Sequence, residues 1–184
     1  MACAIDKKKI EQTIAFHGHS CPGLAIGIRA SELALDRLDF GPEADMVCVV
    51  ETDMCGVDGI QFLTGCTFGK GNLIHKDFGK AGFTFFDRGK SQGFRALFQD
   101  DAIQAFEPAK GENEKQARTR AIMDADLADL FTVSPVDAPP VRPARILASM
   151  VCQECGEKVM ESRIRRYGGK DLCIPCFAQH EQKI

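Results

Sequence analysis

Apolar positions four apart, Ile10 and Ile14 with Phe16 beside them, predict a short helix over Asp6 to Phe16. A longer helix follows Cys21. In LAIGIRASELALDRL the residues Leu24, Ile28, Leu35 and Leu38 gather near one face, supported by Ala25 and Ala34, as in a helix packed on a sheet. Pro22 suits its first turn, where the missing amide hydrogen costs nothing. Gly41 and Pro42 close this unit, and the β-branched run MVCVVETD, Met46 to Asp53, predicts a buried strand. GVDGIQFLTG predicts a short helix, CTFGKGN a turn, and Leu73 to Phe78 and Gly82 to Asp87 two strands joined through Gly79, Lys80 and Ala81. Phe94 to Phe98 is a further strand. The charged stretch Glu112 to Phe131, carrying Ala117, Ala121, Ile122, Leu127 and Leu130, predicts one more helix.

Helices and strands interleave without a regular βαβ beat, so the expected fold class is α+β, a mainly antiparallel sheet with packed helices. SPVDAPPVRPAR, residues 134–145, then holds four of the chain's eight prolines and few side chains suited to a core. It reads as a stiff linker. The expected organisation is a core domain over 1–133, the linker over 134–145 and a small domain over 146–184.

Composition agrees with two unequal domains: 184 residues at 45% hydrophobic content suffice for one good core and an appendage. The net charge of -3 argues against a surface built as a whole for nucleic acid or acidic lipid. MACAIDKKKI places charges where a secretory signal needs an apolar core, and no segment approaches the roughly 18 apolar residues of a membrane span. A cytoplasmic protein without a membrane partner is expected. Nine cysteines are many for such a chain, and in a reducing compartment closely spaced thiols more often hold metal or do chemistry than form disulfides.

Four of them, Cys152, Cys155, Cys173 and Cys176, form two C-x2-C pairs separated by seventeen residues. Four thiolates so arranged satisfy the tetrahedral preference of zinc with no open position, as a structural site requires. Gly156 permits the turn after the first pair, Val159 to Tyr167 can form a ribbon ending at Gly168 and Gly169, and the second pair opens a short helix. That order is the layout of a treble-clef finger. From Met150 to Ile184 six Lys or Arg face five Asp or Glu. The cluster Arg163, Arg165, Arg166 therefore reads as a solvated face before it reads as a nucleic-acid reader.

The first half concentrates chemistry differently. In FHGHSCPG, residues two apart on an extended segment project to the same side, so His17, His19 and Cys21 can converge on one point. Imidazole and thiolate together suit zinc or another borderline-to-soft transition metal. The same pair of histidines in a loop also makes an ordinary hydrogen-bonding corner. Cys55 stands immediately beyond the first strand, and Asp58 one helical turn later, where it can orient a histidine or accept a proton. Taken alone, Asp58 is equally a carboxylate near a helix start. Cys66 and Lys70, in the glycine-rich turn, are candidates to line the same pocket. Cys48 reads as a buried apolar residue, Cys3 as a terminal one, and His75 as an ordinary strand histidine.

FHGHSCPGLAIG, the block CGVDGIQFLTGCTFGKGNL after a strand, and the trailing four-cysteine finger together resemble the E-subunit family of formylmethanofuran dehydrogenase. The resemblance implies an α+β core, often dimeric, with a metal pocket built from His17, His19, Cys21, Cys55 and Asp58, and with Cys66 and Lys70 in the second block. Asp58 and Cys21 are the residues to consider for a catalytic role. The family name points to a molybdenum or tungsten enzyme as partner, and nothing here resembles a pterin-holding catalytic chain. The expectation is a metal-binding accessory protein, with structural zinc in the finger and zinc or another transition metal in the core. The competing class is a module that recognises protein or nucleic acid on a dimeric platform.

Overall fold

The computed structural model describes residues 2–38, 44–103, 107–138 and 146–180. The chain divides into two compact units, Met1–Arg142 and Pro143–Ile184. The first is built on a five-stranded sheet of order β2-β1-β3-β4-β5, where β1 is Met46–Val50, β2 Leu73–His75, β3 Gly82–Asp87, β4 Gln92–Phe98 and β5 Phe131–Val136. Three of its four pairings are antiparallel; only β1 with β2 is parallel, Val50 standing opposite His75. The fold is thus α+β with a mainly antiparallel sheet. Strands β1 and β3 are buried along their whole length.

Helix α1, Lys7–His17, starts where Asp6 accepts the amides of Lys8 and Lys9 and stops at Gly18, whose φ of 95° lets its N–H return to the Ile14 carbonyl. Helix α2, Pro22–Leu38, is the most enclosed of the described helices, with Leu24, Ile28, Ala30, Leu33 and Ala34 all buried. Helix α3, Gly56–Thr64, crosses it at backbone contact. A Cβ placed on Gly27 would stand 2.0 Å from the Gly56 carbonyl oxygen, and one on Gly56 would stand 2.9 Å from the Gly23 carbonyl oxygen. Glycine is required at this crossing because no side chain fits between the two helices. Their close approach brings their N-terminal ends, and with them Cys21 and Cys55, together.

Two segments depart from the expectation. The helix expected over Glu112 to Phe131 is interrupted: α4, Glu114–Asp124, ends at an extended Ala125, and one further turn, α5, Leu127–Leu130, leads directly into β5. The guanidinium of buried Arg29 donates to the Met123 and Ala125 carbonyls at 3.3 and 2.5 Å, giving the end of α4 the donors that a continued helix would have supplied. Strand β5 also runs to Val136, so residues 134–136 pair with β4 where a linker was expected; Pro135 is tolerated because β5 is an edge strand. Residues 139–145 of that segment, and the expected closure at Gly41 and Pro42, lie outside the described residues.

The second unit is small. Strands β6, Ser149–Val151, and β7, Lys158–Met160, pair around the first cysteine pair; β8, Ile164–Tyr167, and β9, Lys170–Cys173, form a hairpin; and α6, Ile174–Gln179, carries the last cysteine. Among its described residues the apolar core is small, Leu172 with Val159 and Phe177 beside the cysteines. This is the layout of a treble-clef finger.

Candidate metal centre

His17 is the last residue of α1, Cys21 immediately precedes α2, and Cys55 caps the start of α3. One ligand atom from each of His17, His19, Cys21 and Cys55 lies within 4.8 Å of the other three. His17 Nε2 stands 3.9 Å from Cys21 Sγ. In a tetrahedral zinc site with Zn–N near 2.05 Å and Zn–S near 2.3 Å that separation is about 3.6 Å, so the donor set fits a cation with little adjustment.

Asp58 fixes the tautomer of His17. The carboxylate is an obligate acceptor, so His17 Nδ1 carries the proton and donates to Oδ2 at 2.7 Å, leaving the Nε2 lone pair turned toward the cluster. Gln61 Nε2 donates to the other carboxylate oxygen at 3.4 Å. This is the carboxylate–histidine arrangement common behind metal ligands. The Leu24 amide donates to Cys21 Sγ at 3.4 Å, as a helix start does for a thiolate. Desolvation, and then the neighbouring Cys21 thiol, push the Cys55 thiol above its ordinary pKa. A bound cation would offset that cost by stabilising the thiolate form.

The cluster forms part of the wall of a cleft of about 430 Å³. Val50, Val57 and Leu73 supply an apolar side, while Thr52, Gln61 and His75 bring polar groups. His75, read from the sequence as an ordinary strand histidine, faces this cleft because the parallel pairing of β2 with β1 brings it level with Val50. That pairing joins segments more than twenty residues apart, and no local pattern announces it.

Cys66 and Lys70 do not line the cleft. Cys66 is fully buried, with Sγ turned toward the Met46 carbonyl at 3.7 Å, and burial raises its thiol pKa. Lys70 Nζ donates to the Gly65 carbonyl at 3.0 Å, completing the C-terminal end of α3, where a cation is favoured. Cys48 is buried in β1 as expected of an apolar residue. Cys3 is half-buried, its amide bound to the Met123 carbonyl.

In the finger, Sγ atoms of Cys152, Cys155, Cys173 and Cys176 also lie within 4.8 Å of one another, and the Cys155–Cys173 separation is 3.9 Å. Tetrahedral Zn–S bonds of about 2.3 Å place sulfurs about 3.8 Å apart, so this set is already at zinc spacing. The Cys173 amide donates to Cys152 Sγ at 3.3 Å. That bond, joined by the Cys155 and Glu154 amides, lowers the Cys152 pKa to about 6, whereas the neighbouring Cys173 thiol pushes Cys176 upward. Arg163 and Arg165 turn back on their own segment, at Ser162 and the Ile164 carbonyl, and Arg166 lies 3.9 Å from Asp171.

Residues 16–132 match the family described as FmdE, molybdenum formylmethanofuran dehydrogenase operon, a span that contains the entire core cluster. The chain belongs to the FmdE family. Residues 143–182 match a second family, the prokaryotic dksA/traR C4-type zinc finger. Among relatives of this FmdE-family chain, a probable S-adenosyl-L-methionine-binding protein of Archaeoglobus fulgidus is 31% identical over 191 residues, covering 90% of this chain and 51% of that protein. The chain thus spans about half the length of that curated relative. An FmdE-like protein from Syntrophus aciditrophicus, named for a tungsten formylmethanofuran dehydrogenase, shares the fold, with a TM-score of 0.68 at 22% identity over 93% of this chain and 91% of that one. Among the described residues no helix is long and apolar enough to cross a membrane.

Proposed function

We propose that this FmdE-family protein is a metal-binding accessory protein with two sites of different purpose. In the core, His17, His19, Cys21 and Cys55 hold zinc or a similar transition metal at the wall of the cleft. In the finger, Cys152, Cys155, Cys173 and Cys176 hold a structural zinc that compensates for a core too small to fold unaided. The observation that carries the core site is the hydrogen bond from His17 Nδ1 to Asp58, which turns Nε2 toward Cys21 Sγ and the rest of the cluster.

A metal held there supplies Lewis acidity for a carbonyl-type group or a water in the cleft. The chain's own residues orient and polarise. Asp58 keeps the proton on Nδ1, and since both its oxygens are engaged it acts through His17 rather than as a free base. Cys21 serves as ligand rather than nucleophile, its Sγ fixed by the Leu24 amide. Thr52, Gln61 and His75 are placed to hold the polar end of a small molecule.

The accessory role, a homodimeric state, a cytoplasmic location and association with the other chains of a molybdenum or tungsten formylmethanofuran dehydrogenase belong to the same reading, the last supported by the names carried by the family and by the Syntrophus protein. Metal analysis of the intact protein tests it. Two ions per chain are expected, falling to one in Cys21→Ser and to a different one in Cys152→Ser. A wild-type protein with a single ion, lost in Cys152→Ser, removes the core site.

A further inference from the structure

The four core ligands are not held alike. His17 ends a capped helix and is locked by Asp58; Cys21 adjoins α2 and takes the Leu24 amide; Cys55 begins α3, whose first turn is pressed against the glycines of α2. His19 alone sits on a bridge, Gly18 to Ser20, between two helices. It is the one exposed member of the four. Gly18 has φ of 95° and open space where a Cβ would be. Among the described residues neither His19 nor Ser20 makes a hydrogen bond, through backbone or side chain, and the His19 ring packs on that of His17, with centroids 4.5 Å apart. Moving His19 out of the cluster therefore breaks no hydrogen bond and gives up its packing against the His17 ring.

We propose that His19 is the exchangeable ligand of the core site, the other three being its permanent frame, and that its departure opens the site to a neutral or cationic small-molecule donor. This rests on the metal reading above. The remaining set of two cysteines and one histidine is one that catalytic zinc sites use with an open position, whereas four protein ligands make a closed site. His17 and Cys55, two of the three permanent ligands, also line the cleft, so an entering molecule has room beside the frame. Among the described residues the cleft wall carries two carboxylates, Asp53 and Asp58, and no lysine or arginine, which disfavours an anion.

Native mass spectrometry of the full chain gives the first test, with the finger ion as internal control. His19→Ala should keep both ions, while His17→Ala, Cys21→Ser and Cys55→Ser should each lose the core ion. Loss of the core ion in His19→Ala to the same degree, from a wild type that holds two, overturns the proposal and leaves the metal reading intact. A wild type holding only the finger ion overturns both. The second test uses the cobalt-substituted His19→Ala protein, whose visible bands report the core coordination while the closed four-cysteine site stays constant. Imidazole should return the spectrum toward that of the wild type. Of two pyridine donors of opposite charge, para-aminomethylpyridine should bind more tightly than isonicotinate; no response to any of the three, or tighter binding of isonicotinate, would contradict the assignment of an open position or of its charge preference.

Discussion

Replacing Gly27 by alanine acts on the helix crossing that brings Cys21 and Cys55 together, without touching a ligand. The added Cβ would stand 2.0 Å from the Gly56 carbonyl oxygen, against the 3.4 Å at which ordinary contact begins, and so α2 and α3 must part by about 1.4 Å. Overpacking of this kind costs about 1–3 kcal/mol. Alanine's better helix propensity offsets roughly 1 kcal/mol of that, so a net loss up to about 2 kcal/mol and a Tm lower by several degrees follow at about 2–4 °C per kcal/mol. The effect on the site is larger than the effect on the fold. Ligand distances in metal sites hold within about 0.2 Å, and a displacement several times that size separates the cysteines beyond a shared ion. Thermal melting and metal content of Gly27→Ala, beside Gly69→Ala as a control with open space around it, measure both. A Gly27→Ala protein that keeps two ions at unchanged core ligand distances would refute the argument that this crossing assembles the site.

Asp58→Asn, which leaves size unchanged but no longer enforces the tautomer, should lower core metal affinity by about 10–100-fold with the finger ion unaffected, as read by competition with a chelator. Glu51 accepts from Arg95 Nε and Nη2 at 2.6 and 2.7 Å, and these bonds hold its carboxyl below the ordinary value. Its contribution to stability is therefore complete above the unfolded pKa of about 4.3 and is lost as pH falls through the lower folded value. Glu51→Gln should cost about 1–3 kcal/mol at neutral pH and flatten the acid limb of the stability curve; an unchanged acid limb counts against the pair. Arg29→Met should destabilise the end of α4, where the Ala125 carbonyl loses its guanidinium donor and the Met123 carbonyl keeps only the Cys3 amide, and show as faster amide exchange at the start of α5.

Most of the element boundaries are written locally. Asp6 and Gly18 bracket α1, Pro22 opens α2, and Gly65 ends α3, each through a residue whose backbone or side chain does that task alone. The finger was legible for the same reason, because its ligands come in two short-range pairs. The core cluster was visible as residues with the right donors, two from α1 and its bridge, one before α2 and one before α3, but the glycine crossing that brings them together depends on contacts between helices thirty residues apart. Residues whose role is set by distant partners were the ones missed. β5 hides behind Pro135 because an edge strand tolerates it, the expected helix over Glu112 to Phe131 breaks because Arg29 takes its carbonyls, and His75 reaches the cleft through a parallel pairing. Cys66 and Lys70 share a sequence block with the ligands yet turn away, one into the core and the other onto a helix end.

Anomalous diffraction across the zinc and neighbouring metal edges from crystals of the full chain tests the central claim most directly. Two peaks per chain are expected, one ringed by the four finger sulfurs and one bonded to Cys21 Sγ, Cys55 Sγ and His17 Nε2, with Asp58 still accepting from Nδ1. A single peak in the finger, with His17 bonded only to Asp58 and the two core thiols free, would contradict it.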